Sequence, residues 1–267
     1  MSIYLWCVIV FVTVLFCLTL MPLTILVAPL DRNRSAIHWV GWLWSHIVLS
    51  ANPLWTLKIE GKENIAPNQA YLVVSNHQSM GDICGLFCIG FPFKWISKKS
   101  AFFIPLLGWA MWVGGYIPLI RGNKASIIGC VRKAKHWLHR GMSVAMFPEG
   151  TRSPSGKIRP FKDGAFRMSV ETGVPILPIT IDGTMGIIPK GSWVFGLRAK
   201  LTLVIGKPKF PPTTDTTKIS TAAAVTQIRE ETRSWIIEEL ARLRKVSETD
   251  VIDQPISAQP SQETGTS

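Results

Sequence analysis

Residues 3–21, IYLWCVIVFVTVLFCLTLM, carry no charge, no glycine and no proline. At about 1.5 Å per residue this run makes a helix of roughly 30 Å, the depth of a bilayer's hydrocarbon core. A helix that is apolar on every side must be surrounded, by protein or by lipid. Pro22 follows, and an interruption is expected there. A cleaved export signal is the competing reading. Against it, no Lys or Arg precedes the run, the run is too long, and no small-x-small cleavage site follows. Arg32 and Arg34 lie just beyond the apolar segment, so the positive-inside rule puts the remainder in the cytoplasm if the helix spans. A second apolar segment, AIHWVGWLWSHIVLS (36–50), carries Trp39, Trp42 and Trp44, aromatics of the kind that settle at the headgroup level. It lies along the interface or forms a hairpin with the first. Residues 1–52 are therefore read as a pair of membrane-anchoring helices at the inner membrane of the cell, spanning or dipping into one leaflet.

After Pro53 the pattern alternates. LWTLKIEG (54–61), AYLVVSN (70–76), FKWISK (93–98), YIPLI (116–120), MSVAMF (142–147), ILPITIDG (176–183) and AKLTLVIG (199–206) read as strands. Between them SMGDICGLFCIG, IPLLGWAMWVG, KASIIGCVRKAKHWLHRG and DGAFRMSVETG read as helices, and 218–245 as a long amphipathic one. This predicts an α/β domain over 53–245, with a mixed, mostly parallel sheet sandwiched by helices. Residues 246–267 are polar and acidic, lack aromatics, and read as a disordered tail. The odd count of five cysteines, with no CxxC and no Cys/His metal spacing, reads as buried, reduced thiols.

The net charge of +12 suits an anionic partner, and its distribution narrows the choice. From Ile83 to Pro148 there is no Asp or Glu, while Lys94, Lys98, Lys99, Arg121, Lys124, Arg132, Lys133, Lys135 and Arg140 all fall there. They are interleaved with AFFIPLLGWAMWVGG (101–115), a mixture that fits an anionic membrane surface better than a nucleic-acid groove. There is no P-loop and no GxGxxG after a strand, which argues against the common nucleotide-binding enzymes.

Two stretches carry candidate chemistry. VVSNHQSMGD (73–82) places His77 just past a strand and Asp82 five residues on. In a continuous helix those two would lie about 140° apart, so they must straddle a turn to meet. Folded back, Asp82 could accept from Nδ1–H and leave Nε2 free as a base, with a substrate hydroxyl in place of a nucleophilic serine. FPEGTRSPSGKIRPFKDGAF (147–166) follows another strand, where ligands of open α/β sheets bind, and offers Glu149, Gly150, Thr151 and Arg152. Ser79 is the expected helix N-cap, and no third ligand for a metal accompanies His77 and Asp82.

NHQSMGD, KKSAFFIPLLGWAMWVGGYIPLIRGN (98–123), FPEGTRS (147–153) and VPILPITI (174–181), in that order, resemble the four motif blocks of the glycerolipid acyltransferase family, bacterial 1-acylglycerol-3-phosphate type. The resemblance covers about residues 55–205 and departs at KKSAFF, where many relatives have an acidic residue and a leucine. It implies direct acyl transfer from acyl-CoA or acyl-carrier protein to the sn-2 hydroxyl of lysophosphatidic acid, giving phosphatidic acid, with no cofactor. His77 would deprotonate the acceptor and Asp82 would hold the imidazole. Arg152, helped by Lys99 and Arg121, would grip the acceptor phosphate. Glu149 would orient Arg152 or a glycerol hydroxyl, and Gly150 and Thr151 would offer backbone N–H groups to the phosphate. Another lysolipid acceptor, such as lyso-ornithine lipid or a lysophospholipid, stays open, as does a non-catalytic membrane-binding module.

Overall fold

The computed structural model describes residues 1–212 and 220–253. The apolar run forms α1 (Ser2–Val27), a 26-residue helix and the one element among the described residues long and apolar enough to cross a membrane. It does not stop at Pro22. In an apolar surrounding, ending the helix would orphan several backbone groups, whereas proline removes a single hydrogen bond. A turn capped by Asp31, whose Oδ2 accepts from the N–H of Ala36, leads into α2 (Ser35–Ser50), which packs antiparallel-wise against α1 and onto the domain through Ile37, His38, Ser45, Val48 and Leu49.

Both ends of α1 are tied to the same domain. At its start the Trp6 indole donates to the carbonyl of Trp193 (2.9 Å), and Ser2 Oγ accepts from Phe195 N–H. Past its other end, Arg140 donates to the carbonyl of Arg32 (2.7 Å), and the buried Lys94 ammonium donates to the carbonyls of Arg34 (3.0 Å) and Gly114 (2.8 Å). Burial brings that ammonium down to about 7, with Asp31 opposing and Arg34 reinforcing the shift.

The domain contains β1 (Trp55–Glu60), β2 (Leu72–Ser75), α3 (Gly81–Phe87), β3 (Phe93–Lys98), α4 (Leu107–Val113), β4 (Ile117–Leu119), α5 (Lys124–His139), β5 (Ser143–Met146), α6 (Gly164–Thr172), β6 (Ile176–Asp182), β7 (Ala199–Ile205), α7 (Thr221–Arg244) and a short α8 (Glu248–Val251). The strands form one seven-stranded sheet in the order β1-β7-β6-β2-β5-β3-β4. Every pair is parallel except β6 with β7. Pro118 lies on the edge strand β4, and Pro178, opposite Val74 of β2, accepts through its carbonyl from the N–H of Gly206 just past β7 (2.9 Å).

Period-2 alternation fixes the two faces. Leu72, Val74, Val144 and Ile176 point to a core shared with α5, α6 and α7. Tyr71, Val73, Ala145 and Leu177 point to the opposite core, with α3, Phe93 and Trp95. A third cluster joins α1, α2 and α3 to β1 and β7 through Leu5, Leu49, Trp55, Cys88, Phe195 and Leu201. The parallel strands β2, β5, β3 and β4 all end on one edge of the sheet, so the segments after Ser75, Met146, Lys98 and Leu119 are gathered there.

Two expectations change. The beginning of the tail is ordered as far as Asp253. Ser247 forms a capping box with Asp250, Val251 is buried, and the carbonyl of Val251 accepts from Ile158 N–H (2.7 Å). A mean polar composition hides that one valine finds a place in the core between α7 and the loop after β5; residues 254–267 lie outside the described ones. Among the cysteines, all free, Cys84, Cys88 and Cys130 are buried, but Cys7 is exposed on the outward face of α1.

Candidate active site

The chain leaves β2 at Ser75 and enters α3 at Gly81, and the intervening loop folds His77 back over the first helical turn. Nδ1 of His77 lies 2.7 Å from Oδ2 of Asp82. That same oxygen accepts from the backbone N–H of Gln78 (2.6 Å) and Ser79 (2.9 Å). With N–H donors converging on it, Oδ2 is an acceptor, so Nδ1 carries the proton and Nε2 presents its lone pair. The other Asp82 oxygen, Oδ1, accepts from the hydroxyl of Thr184. Asp82 has no exposed surface, and each of its contacts is a donor.

The imidazole also lies flat on Phe147, with ring centroids 3.7 Å apart and planes at 6°, and Phe147 in turn stacks on Trp95 at 5.4 Å. One edge of the ring is bonded, one face is covered, and the Nε2 edge remains for a ligand. Gly81 admits this arrangement in a way the sequence did not reveal: a Cβ there would meet Ile187 Cδ1 at 3.0 Å and Thr184 Cβ at 3.5 Å. Its space is taken by the turn after β6, which brings Thr184 to Asp82. Ser79 is not the N-cap, which falls at Met80. Its hydroxyl donates to the carbonyl of Ile188 (2.6 Å) and accepts from Gly81 N–H, because the 184–188 turn sits within its reach.

The loop after β5 is joined to the same histidine. Glu149 Oε1 accepts from His77 N–H (2.7 Å), and Ser153 N–H donates to the carbonyl of His77 (2.8 Å). Glu149 Oε2 accepts from Arg159 N–H (3.2 Å). Its carboxyl accepts from two backbone amides and bonds no part of Arg152, so instead of orienting Arg152 it fastens two loops. Gly150 takes φ +74°, and its N–H donates to the carbonyl of Phe147 (3.1 Å), closing the turn instead of facing a ligand. Thr151 N–H has no partner among the described residues. Arg152 is half-buried, its guanidinium bonds no described residue, and its carbonyl accepts from the Lys190 ammonium (2.8 Å).

Lys99 and Arg121 are exposed at the ends of β3 and β4, farther along the same edge. With strands about 4.8 Å apart, those two ends lie roughly 10 and 14 Å from that of β2. They form an outer cationic ring beyond Arg152. A nearer cation is Lys162, whose ammonium lies 3.1 Å from where a Cβ on Gly150 would be. Its membership of the cation-rich stretch 147–166 was its only signal. Arg244, at the end of α7, donates to Asp182 (2.7 Å), to the carbonyl of Gly156 (3.1 Å) and to Gln78 Oε1 (3.2 Å), bracing the reactive loop from behind.

Burial drives the Glu149 carboxyl from its ordinary 4.5 up to about 8; the amides of His77 and Arg159 pull it down, and Asp82 pushes it up. The folded protein therefore keeps a proton that the unfolded chain releases above its ordinary value. That stabilisation is full below about 4.5 and is lost as pH rises toward 8. Glu149→Gln keeps the shape without the titration. Urea unfolding at pH 5, 7 and 9 should show the native protein losing on the order of a few kcal/mol more than the variant across that interval. Parallel losses in the two proteins would remove this assignment.

An imidazole with a bonded carboxylate, no serine hydroxyl or cysteine thiol bonded to it among the described residues, and an adjoining cationic loop is an arrangement equipped to deprotonate a hydroxyl on an anionic substrate. Residues 56–182 match the family model described as Acyltransferase. It is 39% identical over 208 residues to the chloroplastic 1-acyl-sn-glycerol-3-phosphate acyltransferase of Arabidopsis thaliana, covering 76% of this chain and 57% of that one. It is 31% identical over 157 residues to the 1-acyl-sn-glycerol-3-phosphate acyltransferase of Salmonella typhimurium, covering 57% of this chain and 62% of that one. The crystal structure of the 1-acyl-sn-glycerophosphate acyltransferase PlsC from Thermotoga maritima superposes with a TM-score of 0.71 at 28% identity, covering 90% of this chain and 95% of that one. The chain spans little more than half the length of the Arabidopsis relative.

Proposed function

We propose that this protein transfers a fatty acyl group from an acyl thioester, of coenzyme A or of acyl-carrier protein, to the sn-2 hydroxyl of lysophosphatidic acid, giving phosphatidic acid. The observation that carries this reading is the His77–Asp82 pair with Nε2 left open beside the Arg152 loop. The relatives, whose printed names are those of 1-acyl-sn-glycerol-3-phosphate acyltransferases, support the choice of acceptor.

Nε2 of His77 takes the hydroxyl proton as the acceptor oxygen attacks the thioester carbonyl carbon. Asp82 keeps the tautomer correct and stabilises the imidazolium that forms. The tetrahedral intermediate collapses with cleavage of the C–S bond, and the departing thiolate recovers the proton from Nε2. No acyl-enzyme is formed, and no group outside the two substrates is consumed. Acid–base catalysis contributes about 10²–10⁴-fold, so the rest must come from holding the two substrates together.

Arg152 offers the acceptor phosphate a bidentate fork, while Lys162, Lys99 and Arg121 add point charges around it. Arg152→Ala is expected to raise KM for phosphate-bearing acceptors by about 10–100-fold with a smaller change in kcat, since the lost contact exists in the ground state as well. Steady-state rates against lysophosphatidate concentration measure this, and an unchanged KM removes the clamp. A side-by-side comparison of lysophosphatidate, lyso-ornithine lipid and lysophosphatidylcholine, each with acyl-CoA and acyl-carrier protein, tests the acceptor and donor. Equal or better rates on an acceptor without a phosphate monoester would overturn the proposed acceptor.

The membrane is the expected seat of both substrate and enzyme. A helix of about 39 Å with both ends bonded to one domain cannot carry one of them to the far side of a bilayer. We therefore read α1 as lying within the cytoplasmic leaflet of the inner membrane. The cationic edge and the exposed aromatics Phe103, Trp109 and Trp112 of the α4 region favour an anionic surface beside it.

A further inference from the structure

The segment between β6 and β7 carries a surface that the transfer reaction does not use. Pro189–Leu197 is held by hydrogen bonds to its main chain, from backbone and from buried side chains. Gly196 N–H donates to the carbonyl of Ile187 (2.9 Å), the Trp55 indole donates to that of Gly196 (3.1 Å), and the Asn52 amide donates to that of Leu197 (3.0 Å). Gly196 is required, because a Cβ would meet the carbonyl oxygen of Gly186 at 2.0 Å. On this fixed backbone Phe195 turns inward and is buried, while Trp193, Val194 and Leu197 turn outward and are 76%, 66% and 58% exposed. Scattered apolar residues on a surface need no explanation; three large ones held side by side on a locked loop do.

The patch continues onto α1. The Trp6 and Trp193 rings lie 5.5 Å apart, and Ile3 and Tyr4 of the first turn of α1 are themselves 81% and 53% exposed. Around it stand the exposed cations Lys190, Arg198 and Lys200, and no Asp or Glu occurs between Gly183 and Pro212. An apolar tip with a purely cationic rim matches an anionic lipid leaflet, acyl chains below and headgroups above. We propose that Trp193, Val194 and Leu197 form a lip that inserts into the same anionic leaflet as α1. This rests on the reading of α1 and of a lysolipid acceptor given above.

The segment that leads into the lip is bonded to the reactive loops. The carbonyl of Ile188 accepts from Ser79, and Lys190 donates to the carbonyl of Arg152. Seating the lip therefore sets the mouth of the site at the lipid surface, so that the acceptor reaches His77 from the leaflet and not from water.

Two measurements on the full chain test the lip. With p-benzoylphenylalanine at position 193 and vesicles of phosphatidylcholine and phosphatidylglycerol at 4:1, illumination is expected to give phospholipid adducts several-fold above those from the same group at exposed position 238 on α7. Adducts equal to those at 238, or to a second protein chain, overturn the lip. The pair Trp193→Asp and Leu197→Asp should lower transfer about tenfold on acceptor embedded in those vesicles and leave transfer to a short-chain, monodisperse lysophosphatidate unchanged. Equal effects on both acceptors also overturn it. Cross-linking to phospholipid at 193 together with a native protein that acylates neither acceptor would instead overturn the acyltransferase reading and leave the lip supported.

Discussion

Replacing His77 by alanine is expected to lower kcat for acyl transfer by about 10²–10⁴-fold, with little change in KM for the lysophosphatidate. Among the described residues its imidazole is the group that the geometry equips as a base, because Nε2 is open while Nδ1 is engaged by Asp82. The fold should survive the change. Asp82 keeps the Gln78 and Ser79 amides and the Thr184 hydroxyl as donors, and the backbone of residue 77 keeps its bonds to Glu149 and Ser153. Flotation with anionic vesicles should accordingly be unchanged. Those two readouts separate the hypotheses. Transfer retained in the variant would dismiss the base. Transfer lost while the native protein transfers and both proteins float equally would dismiss a purely membrane-binding module.

The parts of this protein that could be read in advance are those whose signal is local. Alternating apolar strands gave the sheet and most helix positions within a few residues, because each element needs only its own periodicity. The His77–Asp82 meeting was legible because a five-residue spacing has few geometric solutions once a strand end precedes it. Thr184 was not legible, since 102 residues separate it from Asp82 and only the antiparallel turn from β6 to β7 brings it there. Arg244 is likewise 166 residues from Gln78, and no pattern within α7 sets it apart from the other arginines of that helix. The contact expected between Glu149 and Arg152 is absent for a related reason. The glutamate was the right residue type for a site, but its partners are backbone amides on two other segments, which sequence does not number. Pro22 and the tail erred in opposite directions: a strong local breaker was overruled by an apolar environment, and a polar average concealed one anchoring valine.

Asp82→Asn should lower kcat by a similar factor, about 10²–10⁴-fold, without affecting vesicle binding. The argument is one of counting donors. Oδ2 faces three N–H groups and Oδ1 faces a hydroxyl, an environment that only an acceptor on both sides satisfies. An asparagine has one oxygen and one amide nitrogen. If the oxygen takes the Oδ2 position, the imidazole stays in place but loses the negative charge that stabilises its protonated form in the transition state. If the nitrogen takes that position, it opposes the amides of Gln78 and Ser79, and His77 must move its proton to Nε2, where it can no longer accept the substrate's. Either orientation disables the base without emptying the site. Because the two residues act as one unit, the double variant His77→Ala with Asp82→Asn should be no slower than His77→Ala alone. Single-turnover rates of the four proteins would show this. Losses that multiply would mean that Asp82 acts on the reaction by a route other than the imidazole, and a rate for Asp82→Asn within about threefold of native would remove the pair from the mechanism altogether.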